Sequence, residues 1–341
     1  MVKSCGAVIL NWNGAEHLRR FLPSVVENTP DWVDIIVADN SSDDESCNIL
    51  RQEFAPRVEI IELDRNWGFA EGYNRALKGL VHDIFILLNS DVEVSEGWCE
   101  PLIEELSSNC DVAAVGSKLR SVENRNMFEY AGAAGGFIDY LGYPFCRGRI
   151  LSQIEEDRGQ YDDVRDVFWV SGAAFACRAD IFRSLGGFDS DFFAHMEEID
   201  LCWRMQLAGY RVRIVPRSVV YHLGGGTLNV ESARKTQLNH RNNLAMLFKC
   251  APTSQRIVVA LVRPFLDGLA ALSYLLSGRS QSAMAVVRAW YEFVAWHGEL
   301  ARKRHKIRST KIAESNHIYR GSILLTHLFN VSLKIEKTYK N

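Results

Sequence analysis

The sequence predicts an α/β fold in which a doubly wound, mostly parallel sheet is followed by a C-terminal helical extension. Apolar runs alternate with helical stretches through the first half of the chain, as in sheets whose parallel strands are joined by helices. These runs are apolar throughout, which is typical of strands covered on both faces. From about residue 231 onward the pattern is helical only.

The predicted elements follow in a regular order. Strands are expected at residues 6–10, 34–38, 58–63, 84–88 and 112–117, and helices at 16–28, 45–54 and 70–80. Residues 120–165, rich in glycine, tyrosine and charge, are expected to form a long irregular loop, which in a compact domain is often functional. Regular structure returns at residues 167–177, 180–185, 198–208 and 212–215.

Composition and charge indicate a large globular domain with a different tail. The 341 residues are 47% hydrophobic and 24% charged, which excludes a disordered chain. Residues 252–341 carry 14 lysines and arginines against 5 acidic residues, whereas the rest carries 25 against 37. We therefore predict a main domain over residues 1–230 and a basic helical tail over residues 231–341.

The cysteines and the N-terminus bear on the compartment. Eight cysteines are scattered without a CxxC pair, which argues against a zinc or redox motif and favours a reducing, cytosolic compartment. The first apolar run is too short for a signal peptide or a membrane span.

The tail combines apolar, aromatic and basic segments. Residues 256–276 are apolar but contain Arg263, Pro264 and Asp267, so no membrane span is predicted. Four aromatic residues at 290–296 precede the basic run 302–308, a combination that fits helices lying on an anionic membrane surface. A lid or a dimer arm packed on the main domain is the alternative.

Polar clusters follow three predicted strands, namely NWNG at 11–14, DNSSDD at 39–44 and NSD at 89–91. Ligands of open α/β sheets bind beyond the carboxyl ends of the strands. Asp39 can accept hydrogen bonds from a ligand, with a local turn or helix cap as the alternative. Asp91 can hold a hard divalent cation if phosphate oxygens and water complete the shell, with a simple strand-closing turn as the alternative.

A pair of carboxylates opens the predicted helix after residue 196. Helical spacing places Glu197 on the stripe of Asp200 and Arg204, which are spaced to form an ion pair. Glu198 lies about 100° away, on an apolar stripe. Desolvation there would raise its pKa towards the value that a general base needs. This geometry favours Glu198 over Glu197 as a base, although a carboxylate stabilised by the helix dipole is the alternative.

Two glycine-rich segments also attract attention. NWGFAEGYN at 66–74 places glycines at a helix start, where a ligand anion can approach the backbone. His222 precedes three consecutive glycines; it is a candidate metal ligand, although a lone histidine is more often structural.

Seven segments together resemble family 2 glycosyltransferases of the GT-A fold, especially the bacterial rhamnosyltransferase-like branch. They occur in family order over about residues 5–228 and read VILNWNG, VADNSSDD, NWGFAEGYN, LLNSDVEV, WVSGAAFACRADIFRSLGGFD, FFAHMEEIDLCWR and VYHLGGGT. The resemblance implies a nucleotide-binding half over about residues 1–117 and an acceptor half over about 118–230.

The resemblance also implies roles for individual residues. The nucleotide-sugar set would be Asn11, Asn13, Asp39, Asn66, Gly68, Asn74 and Asn89. Asp91 and His222 would bind Mg²⁺ or Mn²⁺. Glu198 would be the base within the Glu197–Glu198 pair, and the acceptor would be bordered by Trp169, Ser171 and Gly172. Asn89 stands where many relatives have Asp, which weakens the expectation of a metal, and the pair is Glu-Glu rather than Glu-Asp.

The implied reaction is an inverting sugar transfer from a dTDP- or UDP-linked donor, with rhamnose favoured by the branch, to a saccharide or lipid-linked saccharide hydroxyl in cell-surface polysaccharide synthesis. The protein would be cytoplasmic, or peripheral on the cytoplasmic face of the inner membrane. A nucleotidyltransferase is the first alternative, but NWNG lacks the Lys or Arg that a triphosphate loop needs. A non-catalytic or hydrolytic nucleotide-sugar-binding protein is the second, and nucleic-acid binding has no supporting motif.

Overall fold

The computed structural model describes residues 4–224, 232–315 and 317–324, and its first half forms the expected alternation of strands and helices. The strands are β1 (Cys5–Asn11), β2 (Val33–Asp39), β3 (Val58–Glu62), β4 (Ile84–Asn89), β5 (Val92–Val94) and β6 (Val112–Ser121). The helices are α1 (Ala15–Asn28), α2 (Ser46–Ile49, continued by a π-helical turn over Leu50–Phe54), α3 (Gly68–Lys78) and α4 (Glu100–Ser108). The sequence did not predict β5 or α4.

The second half contains short strands and then mainly helices. The strands are β7 (Gly136–Asp139), β8 (Pro144–Cys146), β9 (Arg149–Ile150), β10 (Gln153–Ile154), β11 (Arg165–Asp166), β12 (Ala174–Arg178), β13 (Arg211–His222) and β14 (Ile318–Tyr319). The helices are α5 (Ala179–Ser184), a 3₁₀ turn (Ser190–Phe192), α6 (Glu197–Leu207), α7 (Ala233–Cys250), α8 (Thr253–Leu276), α9 (Ser280–Ala295) and α10 (His297–Ser309).

The main sheet has the order β11-β13-β6-β12-β4-β1-β2-β3, with β5 paired to β13. Strands β3, β2, β1 and β4 are parallel, so all four end at the same edge of the sheet. The predicted α/β fold with a C-terminal helical extension is confirmed. The sheet is more mixed than expected, because β12 lies antiparallel between β4 and β6.

The side chains of β4 explain why the central strands are apolar throughout. Phe85 and Leu87 enter the core on one face of the sheet, and Ile84, Ile86 and Leu88 enter the core on the other. All five are fully buried. A strand covered on both faces needs no alternation of polar residues, as the sequence predicted.

The prediction of a long irregular loop over residues 120–165 is wrong. Strands β7 to β10 form a second, antiparallel sheet there, and β14 from the C-terminal segment joins it beside β7. These strands are two to four residues long, too short for a two-residue alternation to be recognised. Within the predicted element 167–177, only the last residues form a strand, β12.

The basic run of the tail is used largely inside the protein. Arg304 donates to the carbonyl oxygens of Phe248, Lys249 and Ala251 at the end of α7, and Arg308 donates to the last of these as well. Side-chain donors satisfy the otherwise unpaired carbonyls of a helix end in this way. The sequence predicted that the basic run 302–308 contacts a membrane. Arg304 and Arg308 do not support this prediction, because their guanidinium groups already bind carbonyl oxygens of the protein.

Helix α8 continues through Pro264 for 24 residues. It is the one helix among the described residues that is long and apolar enough to cross a membrane, a weak indication because core helices pass the same test. Arg263 and Asp267 are both buried against the protein, and Arg263 Nη2 lies 3.3 Å from Asp267 Oδ1. The two charges expected to interrupt an apolar span therefore face inwards.

Candidate active site

The ends of β1 and β2 are joined by their polar loops. Asn11 Nδ2 donates to Asp39 Oδ1 over 3.0 Å, and both residues are buried. Ser42 donates to both Asp39 oxygens, through its hydroxyl at 2.6 Å and its amide at 2.8 Å. Asn13, in the left-handed region at φ 49°, accepts from the Asp43 amide. Asp39 thus forms the local turn that the sequence offered as the alternative to ligand binding. Contact of this cluster with a nucleotide base remains a prediction.

The glycine-rich segment begins helix α3 as predicted. Asn66 Oδ1 accepts from the Gly68 amide at 2.8 Å and from Asn40 Nδ2 at 3.2 Å. Gly68 has φ 73°, and a β-carbon there would lie 2.5 Å from the Phe193 ring, so only glycine fits. Asn74 uses its amide elsewhere, because it donates to and accepts from the backbone of Phe188.

A buried histidine lies between two carboxylates near the end of β4. His222 Nε2 is 3.2 Å from Asp91 Oδ1, and its Nδ1 is 3.5 Å from Glu129 Oε1. Asn89 Nδ2 is 3.4 Å from the same Nε2. All of these except Asn89 are at most 6% exposed. The structure therefore brings together Asn89, Asp91 and His222, which the sequence had selected from distant segments.

The electrostatics of this cluster follow from burial and pairing. Burial favours the neutral form of Asp91, but the hydrogen bond and charge of His222 hold the pKa of that carboxyl below its usual range. Burial likewise opposes a charged His222, but Asp91 and Glu129 raise the pKa of that imidazole to about 10.

The pair of Asp91 and His222 fits a divalent cation that replaces the proton now shared between them, because a histidine ligand must be neutral. Two adjacent ligands at about 2.1 Å from one ion, at a right angle, are about 3.0 Å apart, close to the 3.2 Å that separates His222 Nε2 from Asp91 Oδ1. Within the described part of the chain, no three His, Cys, Asp or Glu side chains are arranged to hold an ion by themselves. Phosphate oxygens and water would have to complete the shell.

Glu129 was missed by sequence reasoning. It lies between β6 and β7, in a segment without periodicity, and accepts from the Ala131 amide. No local signal relates it to His222, because the two meet only in the folded chain. A carboxylate beside a metal-binding histidine fixes the orientation of the ring and the site of its proton.

We expect Glu129→Gln to weaken Mn²⁺ binding by about 10- to 100-fold, the usual cost of losing such a partner. Isothermal titration of the protein with MnCl₂ in the presence of UDP or dTDP measures this effect. Glu156→Gln is the control, because Glu156 lies in the same region but pairs with Arg158 on the surface. Equal Mn²⁺ affinities in the wild type and Glu129→Gln would contradict this role.

The carboxylate pair lies at the start of α6. Glu197 is 5% exposed, whereas Glu198 is partly exposed, and each has a buried oxygen, Oε2, without a hydrogen-bond partner. Burial raises the pKa of Glu198 to about 7, and burial together with the charge of Glu198 raises the pKa of Glu197 well above its usual range. The expected ion pair is present, with Arg204 Nε 2.8 Å from Asp200 Oδ2.

Of the three residues expected beside the acceptor, Gly172 adjoins the carboxylate pair. A β-carbon on Gly172 would lie 3.8 Å from that of Glu198. Trp169 is buried and donates its indole N–H to the Phe137 carbonyl oxygen, and Ser171 donates to the Ala131 carbonyl oxygen. These two side chains therefore support the loops around the site.

The turn at Gly172 and Ala173 connects the two halves of the site. The Asn89 amide donates to the Ala173 carbonyl oxygen at 3.1 Å, and Gly172 adjoins Glu198. The carboxylate pair is thus one loop away from the strand end that carries Asp91. A separate cavity of about 230 Å³, lined by residues including Gln206, Tyr210 and His317, contains none of the predicted site residues.

Comparison with known families gives matches to two models. The model described as glycosyl transferase family 2 matches residues 7–186, and the one described as glycosyl transferase family group 2 matches residues 148–297. The first of these spans more than half of the chain.

Curated relatives are glycosyltransferases or polysaccharide biosynthesis proteins. The chain is 26% identical over 256 residues to N-acetylglucosaminyl-diphospho-decaprenol L-rhamnosyltransferase of Mycobacterium tuberculosis, a match that covers 70% of this chain and 82% of that protein. It is 30% identical to the pre-mycofactocin glycosyltransferase of the same organism, over 62% of this chain and 40% of that protein. It is 28% identical to the O-antigen biosynthesis protein RfbC of Myxococcus xanthus, over 60% of this chain but only 16% of that protein.

Solved structures support the fold. GalNAc-T7 with UDP, GalNAc and Mn²⁺ has a TM-score of 0.56 at 18% identity, covering 73% of this chain and 48% of that one. The mannosyltransferase PcManGT of Pyrobaculum calidifontis, in complex with GDP-Man and Mn²⁺, has a TM-score of 0.53 at 14% identity, covering 97% and 88%. At these identities the likeness shows the GT-A fold alone.

Proposed function

This chain belongs to glycosyl transferase family 2, in the bacterial rhamnosyltransferase-like branch, and is a hexosyltransferase; from that premise we propose that it inverts the configuration of a sugar as it transfers it from a nucleoside diphosphate to a saccharide hydroxyl. The observation that carries the proposal is the placement of a partly exposed Glu198 one loop away from the Asp91–His222 pair. A base on one side of the donor and a cation site at its diphosphate would together serve a single displacement.

In this proposal each group of residues has one task. The Glu198 carboxylate takes the proton from the acceptor hydroxyl, whose oxygen then attacks the anomeric carbon from the face opposite the leaving group. Asp91 and His222 would hold a divalent cation, Mg²⁺ or Mn²⁺, which stabilises negative charge on the departing diphosphate. Asn11, Asn13, Asp39, Asn66, Gly68 and Asn89 would bind the nucleotide sugar. Because one bond forms as the other breaks, the product has inverted configuration.

For the donor we propose dTDP-rhamnose, with UDP-sugars as the alternative, and for the acceptor a lipid-linked saccharide used in cell-surface polysaccharide synthesis. The named activity of the relative that matches over 82% of its length supports rhamnose as the sugar and a lipid-linked acceptor. A cytoplasmic location, on the inner face of the membrane, is in keeping with eight free cysteines.

The test is donor turnover by the purified protein. A panel of UDP-, GDP- and dTDP-sugars is supplied with Mg²⁺, Mn²⁺ or EDTA, with and without a synthetic prenyl-diphosphate-linked N-acetylglucosamine, and release of nucleoside diphosphate is followed. We expect release from one donor, dependent on metal and accelerated by the acceptor. Release without any acceleration would favour the hydrolytic alternative, and donor binding without release would favour the non-catalytic one.

We further propose that helices α8 and α9 dock on the membrane that carries the acceptor. The buried stripe of α8 is polar at three of four positions, Gln255, Arg263 and Asp267. Its outward face is apolar, with exposed side chains that include Leu261, Phe265 and Leu276. Helix α9 adds the exposed Met284, Val287, Tyr291 and Val294. A helix with polar residues inside and apolar residues outside suits a lipid environment.

We expect the double variant Leu261→Asp/Phe265→Asp to lose at least about tenfold in affinity for vesicles of phosphatidylethanolamine and phosphatidylglycerol, because charge on this face opposes burial in lipid. Co-sedimentation measures the binding. Val81→Asp is the control, since Val81 is 89% exposed on another part of the chain. If the wild type does not bind vesicles but forms dimers, and the double variant is monomeric, a second copy of the chain covers this face instead.

A further inference from the structure

The loop that precedes the proposed base has an unusual backbone. Phe193, His195 and Met196 all lie in the left-handed region, with φ of 64°, 71° and 73°. Non-glycine residues adopt this conformation uncommonly, and three within four residues persist only where the surroundings hold them. The loop leads directly into Glu197 and Glu198, so whatever holds it also sets the position of these carboxylates.

Helix α7 contacts this loop through the side chain of Asn242. Asn242 Nδ2 lies 3.0, 2.9 and 2.8 Å from the carbonyl oxygens of Phe192, Ala194 and His195. Asn242 is fully buried, and its Oδ1 accepts from Arg241 Nε at 3.0 Å. This last bond orients the amide so that its N–H groups face the loop.

The Phe193 carbonyl of the loop points to the donor side of the site. The Phe193 oxygen accepts from the amides of Phe69 and Ala70, at 2.7 and 3.1 Å, in the first turn of α3. The Phe193 ring also covers Gly68, where no β-carbon would fit. The loop is therefore bonded on one side to the glycine-rich segment of the nucleotide site and on the other side to α7.

We propose that Asn242 is a positioning residue for the reaction: by bonding three carbonyl oxygens of the loop over residues 192–196, it fixes the start of α6 and hence the place of Glu198 relative to the donor segment. This inference rests on the proposed function of Glu198 as the base. It makes α7 part of the catalytic unit, whatever the outer face of the tail contacts.

Neighbouring contacts of α7 support this role. Arg241 donates to the carbonyl oxygens of Asp191 and Phe192, both at 3.1 Å. About two turns further along the helix, the fully buried Lys249 has its Nζ 2.8 Å from Asp200 Oδ1 in α6 and also pairs with Asp189. Helix α7 thus holds α6 through the loop before it and through a charge within it.

The adjacent Asn243 provides a matched control. It is also buried on α7, but its Nδ2 donates to the Gly142 carbonyl oxygen and its Oδ1 accepts from Arg263. Asn243→Ala therefore removes buried hydrogen bonds of the same kind without touching the loop. Asn242→Ser, which shortens the side chain but keeps one hydroxyl donor, serves as a second variant if Asn242→Ala does not fold.

The first experiment is hydrogen–deuterium exchange of the full chain, which is independent of any activity. In Asn242→Ala we expect exchange of the amides in 194–200 and at Phe69 and Ala70 to accelerate by about tenfold or more, because opening of the loop becomes easier. In Asn243→Ala these amides should exchange as in the wild type. Unchanged exchange at 194–200 in the Asn242 variant would overturn the proposal.

The second experiment measures kcat and KM with the sugar nucleotide that the donor panel identifies. We expect Asn242→Ala to lower kcat by about 30-fold with a donor KM within about threefold, whereas Asn243→Ala keeps kcat within about threefold at a similar loss of melting temperature. Equal losses of kcat in the two variants would show that Asn242 serves stability alone. If the panel finds no donor, the proposed function fails, and the exchange data still decide whether Asn242 holds the loop.

Discussion

Glu198→Gln is expected to lower kcat by about 10³-fold while the affinity for UDP or dTDP stays within about threefold of wild type. The amide has the size of the acid but cannot accept the proton of the acceptor hydroxyl, and general-base catalysis contributes about 10²- to 10⁴-fold. Steady-state assays of nucleoside diphosphate release give kcat, and nucleotide titration gives the affinity.

The pH dependence of the wild type follows from the same carboxylate. A base must be ionised, and burial raises the pKa of Glu198 to about 7. We therefore expect log kcat/KM to rise with pH and to level off above an apparent pKa near 7, a value that belongs to the Glu197–Glu198 pair rather than to one residue. A profile that is already flat from pH 5 upward would contradict the assignment.

Glu198→Gln is expected to change stability in the opposite direction to turnover. A carboxyl whose pKa is raised in the folded state does not destabilise the fold at pH values below about 4.5, its pKa in the unfolded chain. The destabilisation grows as the pH rises from there to about 7. Removing that charge should raise the melting temperature at pH 8, by about 2 °C or more, and have little effect at pH 4. A variant that gains stability while it loses turnover has lost a functional group rather than its fold.

Glu197→Gln separates the two carboxylates. Glu197 is almost fully buried and Glu198 is partly exposed, so an acceptor hydroxyl can approach Glu198 more readily. We expect Glu197→Gln to retain at least about ten times more activity than Glu198→Gln. A greater loss in Glu197→Gln would move the base to Glu197.

The elements that the sequence predicted are those whose signal is local. The apolar run of β4 follows from burial on both faces. The strand ends Asp39 and Asn89 lie at one edge of the sheet, on either side of the end of β1, because β2, β1 and β4 are parallel. The position of Glu198 on an apolar stripe follows from helical spacing alone. Each of these inferences needs only a few consecutive residues and one periodicity.

The features that the sequence did not predict depend on contacts between distant segments. Glu129 lies in an aperiodic stretch and meets His222 only after β6 and β13 pair. Asn242 is one polar residue in a helix, and its partners are about 50 positions earlier in the chain. Buried polar residues of this kind carry no hydrophobic pattern, so burial and geometry are needed to recognise them.

The inverted arrangement of α8 illustrates the same limit. Arg263 and Asp267 in the sequence argue against contact with lipid, since charges are costly there. In the structure they form the protein-facing stripe together with Gln255, and the apolar residues between them face outwards. The sequence contains the helical period of α8 but does not show which of its stripes faces the protein. That depends on polar partners in α7 and α9, namely Asn243 for Arg263 and Trp290 for Asp267.

Asp91→Asn is the second substitution with a large expected effect. The amide keeps the shape of the side chain but removes the negative charge that, with His222, would bind the cation. We expect turnover to fall by about 10³-fold, equivalent to about 4 kcal/mol of transition-state stabilisation. Excess EDTA should have the same effect on the wild type and little further effect on the variant, because both remove the same contribution.

Binding measurements distinguish a loss of metal from a loss of fold. Mn²⁺ titration in the presence of UDP or dTDP should give a much weaker affinity for Asp91→Asn, and circular dichroism should remain that of the wild type. Asn89→Asp is the counterpart, because it adds a carboxylate beside His222, and we expect it to strengthen Mn²⁺ binding. If turnover survives both EDTA and Asp91→Asn, the cation site is not used in the reaction. The charge on the departing diphosphate would then have to be stabilised by the backbone amides and the helix N-terminus at Gly68.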